Sequence, residues 1–183
     1  MTSAMTTAGN TRNYFEIFGF PESYDLDLTE LSSRFRKLQS AVHPDKFANA
    51  SDMERRLSVQ KSALINEAYL ALKSPLNRAS YMLKLRGKDL SNDTSTTMAP
   101  EFLMQQMHLR EELEEIRHSS DPVMRLHEVS EEINEILKDQ IGTLSKYFLD
   151  KESDLEKIAD YVRRMQFIVK LQQEVELLEE DLS

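Results

Sequence analysis

Leu31, Phe35, Leu38 and Val42 follow one another at intervals of four, three and four, and the run stops at His43-Pro44-Asp45. That spacing lines one face of a helix, which folds stably only when a second apolar face covers it. Proline lacks an amide donor and disfavours helical geometry in the residue before it, so the helix is expected to end at about Val42 or His43. A glycine would suffice as a stop. Here the stop carries an imidazole, a carboxylate and, at Lys46, an ammonium group. The corner therefore reads as chemistry as well as boundary.

Helix punctuation of the same kind recurs along the chain. Asn13–Gly19 reads as a short apolar turn or helix closed by Gly19 and Pro21. Asp27 with Glu30, and Ser51 with Glu54, have the spacing of capping boxes. The helix after Ser51 is expected to reach about Lys73, with Leu57, Leu64, Ala68, Tyr69 and Leu72 facing inward. Ser74-Pro75 opens another, which ends at Gly87. Residues 88–99 are polar and read as a linker. Pro100 then opens a helix to about His118, and Asp121-Pro122 a long one to about Asp150 that Gly142 is expected to weaken or bend. Ser153 with Glu156 caps a last helix running nearly to the C-terminus. With only four glycines and five prolines in 183 residues, the chain is expected to be all-α. A helical hairpin within residues 13–87 should precede an antiparallel three-helix bundle over 100–183. Residues 1–12 read as a disordered tail.

Composition removes several functions. The absence of cysteine excludes disulfides, thiolate metal ligation and thiol catalysis, and fits a reducing compartment. No apolar run approaches the roughly 18–20 residues that cross a bilayer, and the N-terminus lacks a secretory apolar region. A cytoplasmic protein with no membrane partner is expected. Residues 13–87 hold 11 Lys and Arg against 9 Asp and Glu, whereas residues 88–183 hold 11 against 23. Two modules with different partners follow from that split. Nucleic acid is disfavoured, because no extended basic face or stacking motif accompanies the cations. His108, His118 and His127 fit no common metal-ligand spacing, and no nucleophile, second acid or phosphate-binding loop stands near His43. No enzyme activity, metal, cofactor or small-molecule substrate is expected.

Tyr14-Phe15, HPDKF at 43–47, INEAY at 65–69 and the closing SPLNRASYML together resemble a J-domain. With the segment beginning FLMQQMHLREELEEI, the chain more narrowly resembles the HscB family, J-type co-chaperones of iron–sulfur cluster assembly. The resemblance covers nearly everything after residue 12. It implies that His43, Pro44 and Asp45 contact a DnaK-like ATPase chaperone, HscA, and favour its hydrolysing state. Asp45 is suited to accept charge-assisted hydrogen bonds from an arginine. Arg34, Arg36 and Lys37 on the preceding helix, extended by Lys46, would steer the pair together electrostatically. The alternatives are a general J-protein with another client, or a helical adaptor in which the corner is only a turn. No glycine-rich stretch or cysteine repeat follows the first module, which disfavours the general type.

The helix from Pro100 has more apolar residues than one face uses. At 100° per residue, Phe102, Leu109, Leu113 and Ile116 fall within about 60° of one another and form a core stripe. Leu103, Met104 and Met107 lie on the far side beside Glu111 and Glu115. Such a patch is either buried against another surface or a recognition face whose adaptable side chains anchor a partner. The resemblance favours recognition and implies the scaffold protein IscU as partner, held by Leu103, Met104, Met107, Glu111 and Glu115 with Phe167 of the last helix. Phe167 also lies off the stripe of Leu155, Ile158, Val162, Met165 and Val169. His108 stands where the family often has a glutamate.

Overall fold

The computed structural model describes residues 12–91 and 99–182, in which every regular element is helical. Residues 1–11 of the expected tail and 92–98 of the expected linker lie outside the described residues. The chain divides into two compact units, Met1–Asn77 and Arg78–Ser183.

In the first unit, α1 (Tyr14–Phe18) starts at a reciprocal cap: Asn13 Oδ1 accepts the Glu16 amide at 2.9 Å and Glu16 Oε2 accepts the Asn13 amide at 3.0 Å. It stops at Gly19, whose φ of 70° favours a residue without Cβ. Asp27 caps α2 (Leu28–Val42) by accepting the Thr29 and Glu30 amides at 2.9 and 3.0 Å. The expected return bond from Glu30 is replaced, because its carboxylate takes the Arg34 Nε–H at 2.7 Å. A 3₁₀ turn, Pro44–Phe47, and the Ser51/Glu54 capping box then lead into α3 (Asp52–Lys73). The Ser51 hydroxyl and amide, both bonded to Glu54, hold that carboxyl below its ordinary range.

The buried line of α3 is Ser58, Ile65, Ala68 and Leu72. Leu57 and Leu64, expected inward, are exposed. The helix is rolled so that a hydroxyl takes the place expected for a leucine, and that hydroxyl has a partner on α2. Tyr69 is half-buried and stacks on Phe35 with ring centroids 4.0 Å apart. Phe15, Phe18, Tyr24 and Leu31 are the other buried hydrophobic residues among α1, α2 and the turn between them.

Arg34 fastens α2 to the α1 turn. Its Nη1 donates to the Phe18 and Gly19 carbonyls at 2.8 and 2.9 Å, and its guanidinium lies 4.2 Å from the centre of the Phe20 ring. Arg34→Ala should therefore destabilise the protein by about 1–2 kcal/mol, after discounting for partial exposure. Urea unfolding followed by circular dichroism measures this; an unchanged midpoint would remove the fastening role.

The division between the units falls inside α4 (Pro75–Leu85), whose first turn is capped by Ser74. Beyond α4, Arg86 donates to the carbonyls of Phe148 and Asp150 at 2.6 and 3.4 Å, and Lys88 pairs with Glu156. These bonds lie within the second unit and hold the residues after α4 against residues 148–156. Ahead of the bundle, the Ser91 amide and then Lys84 hold the Asp89 carboxyl down to about 2. A depressed folded-state value means stability present above the ordinary carboxyl value and lost as pH falls toward the folded one. Carbon-detected NMR should titrate Asp89 near pH 2. Lys84→Ala should raise that midpoint only part-way, because the Ser91 amide remains.

The second unit contains α5 (Pro100–Glu115) with a terminal 3₁₀ turn Ile116–His118, α6 (Pro122–Leu149) and α7 (Leu155–Leu182). Asp121 caps α6, which runs unbroken through Gly142. At α7 the cap is Asp154, one residue beyond the expected Ser153, its carboxylate accepting the Glu156 amide at 2.8 Å. Asp154 directly precedes Leu155, the first residue of α7, and so occupies the capping position itself. Arg110 pairs with Glu174 and Arg117 with Asp181, so equal steps along α5 and α7 keep pace and the two helices run parallel. The short α6–α7 turn sets α6 antiparallel to both. Phe102, Leu109, Leu113, Ile116, Leu126, Val129, Ile133, Ile168, Leu171 and Val175 form a buried core cluster.

Candidate functional site

Two surfaces carry the residues singled out from the sequence, one in each unit. In the first, α2 and α3 form an antiparallel hairpin with the His43-Pro44-Asp45 corner in the connection that closes it. The hairpin is cross-linked by polar side chains near that end. Gln39 Nε2 donates to Asn66 Oδ1 at 2.6 Å and to the Ser62 carbonyl at 3.2 Å, and the Ser62 hydroxyl donates back to Gln39 Oε1 at 3.0 Å. Ser58, only 3% exposed, donates its hydroxyl to the Val42 carbonyl at 2.9 Å.

The corner folds on its own atoms. His43 Nδ1 accepts the Asp45 amide at 3.3 Å, the His43 carbonyl accepts the Lys46 amide at 3.0 Å, and the Asp45 carbonyl accepts the Ala48 amide at 3.3 Å. Asp45 Oδ2 is 3.5 Å from the same His43 nitrogen. A nitrogen whose lone pair takes the amide has no proton for the carboxylate, and the shorter, directed amide bond defines the geometry. The Asp45 side chain is 90% exposed and that of His43 56%. An open carboxylate is thus presented on a backbone that its neighbour holds in place.

The basic residues divide by what they touch. Arg36 and Lys37 are exposed on α2, and Lys46, also exposed, reaches Ser40 Oγ at 3.4 Å. Arg34 directs its donors at Phe18, Gly19 and Glu30, so most of its hydrogen-bonding capacity is used inside the unit. Sequence reading placed Arg34 with the others because charge and spacing do not reveal direction. Gln39, Ser58, Ser62 and Asn66 went unnoticed as a group. Their only signal is polarity at positions where two helices must meet.

In the second unit, Leu103, Met104 and Met107 are 44%, 71% and 63% exposed, beside exposed Glu111 and Glu115. Phe167 is half-buried. It meets Phe102 edge-on, with centroids 6.0 Å apart and planes at 83°, which ties it to the base of α5. Arg110, which the sequence reading did not single out, lies 5.6 Å from the Phe167 ring centre and pairs bidentately with Glu174. Its neighbour His108 is exposed. Among the described residues, no group of His, Asp and Glu could hold a metal ion, and no helix is long and apolar enough to cross a membrane.

Because Met104 and Met107 contribute little to the core, Met104→Gln with Met107→Gln should leave the unfolding midpoint within about 0.5 kcal/mol of the parent. Phe167→Ala should cost more, about 2 kcal/mol, through its lost contact with Phe102. Thermal denaturation separates the two; a large loss in the methionine variant would mean that this patch is structural.

Comparison with known proteins matches residues 98–176 to the HSCB C-terminal oligomerisation domain. The co-chaperone protein HscB homolog of Vibrio atlanticus is 47% identical over 170 residues, covering 93% of this chain and 98% of the relative. The structure of the chaperone HscB from Vibrio cholerae superposes with a TM-score of 0.84 at 41% identity, over 94% of this chain and all of that one. The human co-chaperone protein HscB gives the same TM-score at 27% identity, over 93% of this chain and 84% of the human one.

Proposed function

The chain belongs to the HscB family of co-chaperones, and from that premise we propose that it stimulates the ATPase of a DnaK-like chaperone, HscA, and delivers the iron–sulfur scaffold protein IscU to it. The observation that carries the first half is the exposed Asp45 carboxylate at the end of the cross-linked α2–α3 hairpin. It is placed to accept hydrogen bonds from an arginine of the ATPase, with Arg36, Lys37 and Lys46 giving the approach a favourable potential. His43 holds the Asp45 amide, Pro44 restricts the turn, and Arg34 serves mainly by holding α2 on the α1 turn. Residues 13–87 act as the ATPase-engaging module.

The second half rests on an acid-edged apolar face on α5 that the bundle core does not use. Leu103, Met104 and Met107 supply adaptable apolar contact, Phe167 a supported aromatic edge, and Glu111 and Glu115 the polar rim. Residues 100–183 form the client-binding module, residues 88–99 link the two, and the setting is the cytoplasm. Two modest contacts in one chain reinforce each other through effective concentration, so the protein acts as a tether and performs no covalent step. Its contribution to iron–sulfur protein maturation is to bring client and ATPase together.

The test is the ATP hydrolysis rate of the HscA-type chaperone with this protein, with IscU, and with both. Stimulation that multiplies when IscU joins is expected. Asp45→Asn should abolish stimulation while leaving IscU binding near normal. Leu103→Ala and Met107→Ala should each weaken IscU binding by about 1–2 kcal/mol, read by calorimetry. A folded protein that leaves the ATPase rate unchanged would overturn the proposal.

A further inference from the structure

The end of α2 poses a hydrogen-bonding problem that the corner itself does not solve. In a continuing helix the Ser40, Ala41 and Val42 carbonyls would take the amides of residues 44, 45 and 46. Pro44 has no amide to give. The Asp45 amide goes to the His43 ring and the Lys46 amide to the His43 carbonyl. The last carbonyl of α2 must find a donor elsewhere, and it finds one across the hairpin in Ser58.

Ser58 occupies a core-facing position of α3 and is buried with Ile65, Ala68 and Leu72. A hydroxyl costs free energy in such a place unless it is hydrogen-bonded, and alanine or leucine would favour the helix more. Its bond to Val42 is the first of a series. Ser58, Ser62 and Asn66 stand on successive turns of one side of α3, and all three engage the last turn of α2 at Val42 or Gln39. Sliding α2 by one turn would break the set together. The bond at Ser58 lies nearest the corner, on the residue immediately before His43.

We infer that Ser58 is a positioning residue for the His43-Pro44-Asp45 corner: by capping the Val42 carbonyl across the hairpin, it fixes the direction in which Asp45 is presented. The inference builds on the ATPase contact proposed above. With the cap in place the corner is held in its competent arrangement before the partner arrives. Without it the last turn of α2 frays, and the apparent affinity falls by the fraction of time the corner is misdirected. The maximal effect of a correctly bound corner stays the same.

Two measurements on the full chain decide the matter, using Ser58→Ala, Ser58→Thr and, as a control remote from the corner, Tyr14→Phe. Tyr14 donates its hydroxyl to Glu67 at 2.6 Å, so its loss loosens the same unit elsewhere. Native-state hydrogen exchange reports the amides of Lys46 and Ala48, which close the corner. In Ser58→Ala their exchange should quicken about fivefold, the effect of one neutral hydrogen bond. Ser58→Thr should restore it and Tyr14→Phe should leave it unchanged. In the ATPase assay, Ser58→Ala should raise the half-saturating concentration by a similar factor while the plateau holds, whereas Asp45→Asn removes the plateau.

Unchanged exchange at Lys46 and Ala48 in Ser58→Ala would overturn the inference whatever the ATPase shows. Faster exchange with an unchanged half-saturating concentration would overturn it too, reducing Ser58 to a stabilising contact. If the parent protein gave no stimulation, the proposed function would fail on that observation alone, and a positioning role for Ser58 toward that contact would fall with it.

Discussion

A proline that cannot donate a hydrogen bond stands where α2 must end, and much of the first unit can be understood from that constraint. Helix C-termini commonly close on a glycine in the left-handed region, as α1 does at Gly19. At His43 the backbone stays at φ −58° and ψ 129°, and the closure is made by side chains instead. The imidazole accepts one amide and Ser58 supplies the donor that the chain direction withholds. The corner is therefore stiff without being buried. An exposed carboxylate on a fixed backbone loses little conformational freedom on meeting a partner, which favours specificity from a small contact.

The second unit answers a different demand. Its three helices place their core residues on single stripes, and ion pairs between α5 and α7 keep those stripes in register. The pairs are exposed and individually weak, so the register comes mainly from apolar packing, with the charges selecting among alternatives. Once Phe102, Leu109, Leu113 and Ile116 face the core, Leu103, Met104 and Met107 are obliged to face solvent. The recognition face proposed on α5 is thus a geometrical consequence of the core stripe. Charge separates the units further, since the acidic excess lies in residues 88–183. A weakly basic corner and an acid-edged apolar face suit unlike partners, as the proposed tether would require.

The sequence by itself determined the helical class, nearly all the helix starts, the stop at His43 and the four-residue core stripe of α5. Each of these depends on chemistry within a turn or two: a capping side chain, a proline's missing amide, or the period of an amphipathic helix. Tertiary structure decided the rest. Whether Leu57 or Ser58 faces α2 depends on a rotation of α3 smaller than its periodicity resolves, and a hydrogen bond from sixteen residues away settles it. Arg34 looks like its basic neighbours until the Phe18 and Gly19 carbonyls are brought beneath it. Phe167 meets Phe102 and Arg110 only because α5 and α7 run parallel. Local propensity knows nothing of these distances; they exist only once the helices have packed.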